Sequence, residues 1–129
     1  MKSGVIILGH GSRSEEAQQV FQEIVALVSK KSNYGPVKGA AMEFASPTLE
    51  EVANGLVELG IEEIIIVPLF IYPGVHIKRD IPAMIDQLKK EYPEVRFVNG
   101  SHIGADEKLA EIMADRVQQA VKKSGKSYT

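Results

Sequence analysis

The run Ile64-Ile65-Ile66-Val67 constrains this chain more than any other segment. Four β-branched residues in a row crowd the preceding turn of a helix and suit an extended strand. The run does not alternate with polar residues, so both faces of that strand are built for burial. Such strands belong to parallel sheets covered by helices on both sides. Pro68 ends the run, because it has no N–H to offer a neighbouring strand.

The same logic finds three more strands. Residues 4–8 form a short apolar run that stops at Gly9-His10-Gly11-Ser12. Residues 37–44 are a second candidate, interrupted by Lys38 and Gly39, and residues 95–98 a fourth. Helical stripes separate them. From Ser14 the apolar positions are Ala17, Val20, Phe21, Ile24, Leu27 and Val28. Glu15 and Glu16 open that helix and Lys30 and Lys31 close it, as the macrodipole prefers.

A second helix starts over residues 46–48, with Pro47 suited to its first turn and Thr48 and Glu51 at capping-box spacing. Leu49, Val52, Ala53 and Leu56 give its apolar face, and Gly60 marks its stop. A loop over residues 69–79 leads to a third helix near Asp80, with Ile81, Met84, Ile85 and Leu88 on one side. Asp106 opens a fourth, through Leu109, Ile112, Met113, Val117 and Ala120.

Four strand-then-helix units without hairpin signals predict an α/β fold: a single flavodoxin-like domain with a four-stranded parallel sheet and helices on both faces. The expected strand order is 2-1-3-4. In that order the chain leaves strands 1 and 3 toward opposite faces, and ligands bind in the crevice beyond their carboxyl ends.

With 129 residues the chain has the length of one domain. Residues 1–123 are expected to form it, and residues 124–129 a polar tail. There is no cysteine, which excludes disulfides, thiolate metal sites and iron–sulfur clusters and fits a reducing compartment. The net charge of −2 comes without a basic stripe, so no nucleic-acid partner is expected. The longest nearly unbroken apolar run, residues 64–72, is far short of the ~20 residues of a membrane span. The Gly-His-Gly turn is reached too early for a signal-peptide core. The expectation is a cytoplasmic protein with no membrane contact.

Two of the three histidines fall at the predicted crevice. His10 follows strand 1 and His76 lies in the loop after strand 3, while Glu43 sits at the end of strand 2. Singly, each has an ordinary explanation: a turn histidine, a structural loop histidine, a solvated carboxylate. Their convergence on one sheet edge is what points to chemistry. His102 follows strand 4, farther from the switch point, and is read as structural or peripheral. The Gly-His-Gly-Ser-Arg turn lacks the spacing of a phosphate-binding glycine loop and of a serine nucleophile elbow. A histidine phosphatase also places a histidine after strand 1 and uses a second one; that family carries arginine directly before the first, where this chain has Gly9, and it stands as the second enzymatic reading.

The motifs Leu8-Gly9-His10-Gly11-Ser12-Arg13, Met42-Glu43-Phe44-Ala45-Ser46-Pro47-Thr48, Val67-Pro68-Leu69-Phe70, Gly74-Val75-His76, Arg79-Asp80-Ile81-Pro82 and Ile103-Gly104-Ala105-Asp106 together resemble the small sirohydrochlorin chelatases of the class II chelatase family. The likeness covers nearly the whole chain in motif order. It implies a lyase that inserts a divalent metal, cobalt first and nickel or iron as alternatives, into sirohydrochlorin for cobalamin, sirohaem or a nickel cofactor. It also implies a homodimer of single halves and no tightly bound cofactor, the metal being a substrate.

His10 and His76 match the family's two active-site histidines, as metal ligands and catalytic groups, and Glu43 matches a carboxylate position. Ser12, Arg13, Lys78 and Arg79 are expected near the substrate's carboxylates, with a solvated loop as the ordinary alternative for Lys78 and Arg79. Neutral imidazole suits Co²⁺, Ni²⁺ and Fe²⁺. Two histidines make an open site from which metal can leave, unlike the closed cage of structural zinc. A carrier that holds metal and macrocycle without joining them would use the same residues.

Overall fold

A computed structural model describes residues 1–125. Its elements run β1 (Ser3–Gly9), α1 (Glu15–Lys31), β2 (Val37–Ala41), α2 (Leu49–Glu58), β3 (Glu63–Pro68), α3 (Ile81–Glu91), β4 (Arg96–Asn99) and α4 (Glu107–Lys123). The four strands are parallel in the order β2-β1-β3-β4, as the alternation of strands and helices predicted. Residues 126–129 of the expected polar tail lie outside the described residues.

The capping signals act where they stand. Ser14 accepts from Ala17 N at the start of α1, and Thr48 and Glu51 form a reciprocal capping box on α2. Pro47, expected in the first turn of α2, instead precedes the cap. Its carbonyl accepts from Ala41 N at 2.9 Å and so extends the edge of β2. The second strand is also shorter than expected, stopping at Ala41 rather than 44. Phe44 takes a left-handed φ of 65°, which no strand accommodates.

The register aligns three strand ends. Gly9 lies opposite Ala41 and Leu8 opposite Pro68, so the segments carrying His10, Glu43 and His76 all leave from one sheet edge. The two faces of the sheet are unequal. On one, Ile6, Leu8, Ile64 and Ile66 are sealed by Leu49, Ala53 and Leu56 of α2 and by Ile81, Ile85 and Leu88 of α3. On the other, Val5, Ile7 and Val37 meet Phe21, Val25 and Val28 of α1.

α4 has the expected apolar stripe but buries none of it. Ile112, Met113 and Val117 are each about half exposed. None of the helices among the described residues is long and apolar enough to cross a membrane.

Candidate functional site

His10 is positioned by backbone. Past the end of β1 the chain is tied to the segment after β2, with Met42 N donating to Gly9 O at 2.9 Å and Glu43 N to His10 O at 3.2 Å. Gly11 allows this approach. It sits at φ 98°, and a Cβ there would strike the carbonyl of Glu43; a side chain would be strained twice over. The result is that His10 Nε2 lies 3.3 Å from Glu43 Oε1, both side chains about half exposed.

His76 arrives from the other side. The apolar loop after β3 ends in a five-residue π-type turn, His76–Asp80, that runs straight into α3. Wide turns of this kind recur at functional sites. Within it, His76 Nδ1 lies 2.9 Å from Asp80 Oδ2. A carboxylate can only accept, so Nδ1 carries a proton, and in the neutral ring Nε2 keeps its lone pair. The His76 and His10 rings stand 4.9 Å apart and steeply inclined. Phe70 lies nearly parallel to His76 and edge-on to His10.

His10, Glu43 and His76 each offer one ligand atom, and these atoms all lie within 4.8 Å of one another. Two ligands held about 2.1 Å from one ion at a tetrahedral angle are about 3.4 Å apart. The His10–Glu43 pair meets that spacing. The full set is looser, which suits a cation that is bound and then released.

The other expected residues differ in how they are used. Arg13 lies over the Phe44 ring, 4.4 Å from its centroid, a cation–π contact next to Glu43 in sequence. Ser12 Oγ accepts from Ser14 N and its carbonyl accepts from the Gln18 side chain, so it shapes the entry to α1. Arg79 is largely exposed and its Nε donates to Asp80 Oδ1 at 3.4 Å. Lys78 is exposed, as is expected of a solvated loop. His102 is not part of the three-residue cluster.

Sequence reasoning missed Asp80 as the partner of His76. The four-residue spacing carries that signal, but only once the segment is known to be helical. Phe70 and Phe44 as the aromatic frame of the site were also missed.

A hollow of about 380 Å³ lies beside His10, lined by Gly9, Ser12, Phe21, Ala41, Pro47 and Leu69 among others. Glu43 and His76 do not line it. The three polar groups therefore form an open cluster at the sheet edge beside the hollow, with nothing among the described residues to enclose a large ligand.

Comparison with known proteins adds independent information. The CbiX family profile matches residues 4–120. The sirohydrochlorin cobaltochelatase of Sulfurisphaera tokodaii is 35% identical, over 96% of this chain and 98% of that protein. The chloroplastic sirohydrochlorin ferrochelatase of Arabidopsis thaliana is 30% identical, over 92% of this chain and 52% of that longer one. Among solved structures, the sirohydrochlorin chelatase SirB from Bacillus subtilis subspecies spizizenii, in complex with cobalt, superposes with a TM-score of 0.88 at 29% identity. That superposition covers 92% of this chain and 51% of SirB.

Proposed function

The chain belongs to the CbiX family, and from that premise we propose that it is a sirohydrochlorin chelatase inserting a divalent metal, cobalt in the first place, with His10, His76 and Glu43 as the working groups. The observation that carries the reading is the convergence of these three side chains within 4.8 Å at the carboxyl edge of the sheet. Residues 1–123 are the unit proposed to do this work.

The geometry supports a division of labour. His76 presents Nε2 because Asp80 holds Nδ1–H, and a carboxylate behind an imidazole also raises its basicity toward metal. His10 has Gly11 O 3.4 Å from Nδ1 and Glu43 Oε1 3.3 Å from Nε2. With one proton on a neutral ring, one of these two acceptors faces a lone pair, and a proton or a cation shared with Glu43 removes that conflict. The pair is thus suited both to receive a partly hydrated metal and to take up the protons that the macrocycle's two pyrrole N–H groups must lose. Arg13 and the exposed Lys78 and Arg79 supply positive charge for the substrate's carboxylates. The exposed apolar side chains of Phe44, Ile71, Tyr72 and Val75 offer surface for its ring.

An octacarboxylate macrocycle needs walls on two sides, and one open edge supplies only one. We therefore place a second copy of the chain opposite the first. Sirohydrochlorin mixed with Co²⁺, Ni²⁺ or Fe²⁺, with and without protein, tests the activity through the macrocycle's visible bands. Catalytic conversion supports insertion, with cobalt expected to react fastest. A change that stops at one equivalent of protein makes the chain a carrier, and unaltered bands remove the reading.

A further inference from the structure

Phe44 bears two unfavourable features that no core packing offsets. Its φ of 65° is left-handed, a conformation that glycine takes freely and a bulky side chain takes only with strain. The residue is 48% exposed and belongs to neither apolar cluster of the sheet. Strained backbone of this kind gathers at functional sites, and the inference runs from the outlier to a role.

The ring has a charged neighbour, and that neighbour is itself unusual. Arg79 Nε lies 3.4 Å from Asp80 Oδ1 and Arg96 Nε 3.3 Å from Glu63 Oε2, so both of these arginines rest on carboxylates. Arg13 is placed to do the same. Met42 N donates to Gly9 O and Glu43 N to His10 O, which ties the segment bearing Glu43 to the one that continues into Arg13. Opposite charges on adjoining segments attract. Yet among the described residues Arg13 joins no ion pair, and Glu43 meets His10 instead. The Phe44 ring stands beside both groups, 4.4 Å from the Arg13 guanidinium and 6.3 Å from the His10 ring that Glu43 touches.

We propose that Phe44 is a positioning residue that holds Arg13 off Glu43, so that the two charges do not cancel within the site. The role rests on the chelatase reading given above, in which Glu43 must stay open to a metal ion or a proton. Stacking uses the flat face of the guanidinium and leaves its in-plane N–H groups free. Those are the donors that grip a substrate carboxylate in bidentate fashion. Pairing with Glu43 would occupy them and fill the acceptor sites that a metal needs. An exposed cation–π contact and an exposed ion pair are similar in strength. The ring therefore suffices to hold the cation, and its loss suffices to release it.

Two measurements test this, and the first needs no metal. In nuclear magnetic resonance spectra of the parent, the Arg13 side chain should show Overhauser contacts to the Phe44 ring and none to Glu43. In Phe44→Leu the contacts should move to the Glu43 side chain. Phe44→Gly, which suits the left-handed backbone, serves in its place if Leu disturbs the fold by circular dichroism. An Arg13 side chain that still avoids Glu43 once the ring is gone overturns the proposal, as do contacts to Glu43 in the parent.

The second is a cycle of calorimetric Co²⁺ titrations on the parent, Phe44→Leu, Arg13→Gln and the double variant. Phe44→Leu should weaken binding about two- to fivefold, the size of an exposed ion pair, and should have no effect once Arg13 is Gln. Phe44→Tyr keeps the ring and should bind as the parent does. Equal weakening with and without Arg13 means that Phe44 acts through packing or backbone, and overturns the proposal. Full affinity in Phe44→Leu overturns it too. A parent that binds no Co²⁺ would sink the chelatase reading alone, since the Overhauser contacts still decide where Arg13 rests.

Discussion

The two ends of the sheet each hold a glutamate, and the two are treated in opposite ways. At the amino end, Glu63 of β3 is buried and surrounded by donors. Tyr34 Oη donates to Oε1 at 2.6 Å, Ser3 Oγ donates to the same oxygen at 3.2 Å, and Arg96 Nε lies 3.3 Å from Oε2. These partners come from the starts of β1 and β4 and from the loop before β2, so one carboxylate ties most of that edge. At the carboxyl end, Glu43 is about half exposed and, among the described residues, meets a single side-chain partner, His10, at 3.3 Å. A carboxylate with its acceptor sites filled contributes to folding and has nothing left to give a substrate. One left with open sites and a titratable neighbour contributes little to folding and can take a proton or a cation.

The strongest way to break this comparison is to remove the histidines. His10→Ala and His76→Ala should each lower insertion by about 100-fold or more, the usual range for a positioned proton acceptor, with melting temperatures near that of the parent. The double variant should lose little beyond the worse single one, since groups acting as a unit are non-additive. Losses that multiply would mean two separate roles. Near-normal turnover in either single variant would take that residue out of the site.

A paired exchange sharpens the contrast. Glu43→Gln keeps the shape and removes the charge, so turnover should fall while the urea midpoint holds. Glu63→Gln should do the reverse, lowering the midpoint and sparing turnover. If Glu43→Gln unfolds the protein, the two ends are not different in kind.

Asp80→Asn should have a smaller effect. It keeps the contact with His76 but no longer demands the proton on Nδ1, so Nε2 loses its assurance of a free lone pair. Partners of this sort cost about 10–100-fold in metal affinity or activity when changed. Calorimetric titration of Co²⁺ should show the loss, and unaltered affinity and turnover would reduce Asp80 to a helix residue.

The amino acids of both ends were unequally legible. Strand order, the capping box at Thr48 and the meeting of His10, Glu43 and His76 follow from local patterns that tertiary packing did not override. Asp80 hid because an acidic residue before an apolar stripe reads equally well as a helix start, and only the wide turn reveals that its carboxylate faces back to His76. The overlong second strand came from Met42 and Phe44, whose apolar character continues past the sheet; Phe44 sits under Arg13 and near the His10 ring. The stripe on α4 announced a buried face, but periodicity says only that a helix has such a face. It cannot say whose surface covers it.

The smallest effect belongs to the hydrogen bond at the amino end, and its pH dependence has a definite sign. The Tyr34 hydroxyl, followed by burial acting the other way and by Ser3 and Arg96, holds the Glu63 carboxyl below its ordinary value of 4.5. A carboxylate with a lowered pKa in the folded state contributes stability above its unfolded value and loses it as pH falls through the folded one. The Tyr34 phenol is in turn raised above its ordinary 10.0, chiefly by that bond to Glu63. Its contribution is complete below pH 10 and disappears as pH rises through the folded value. Tyr34→Phe removes the donor and leaves the ring. The variant should therefore be less stable than the parent between about pH 6 and 8, with the gap closing at both extremes: below 4.5 as Glu63 protonates, and above 10 as Tyr34 ionises. Melting temperatures of both proteins across pH 3 to 11 measure the gap directly. A difference that stays constant over that range would mean that Tyr34 acts through packing and that the carboxylate at this end is not held by its donors.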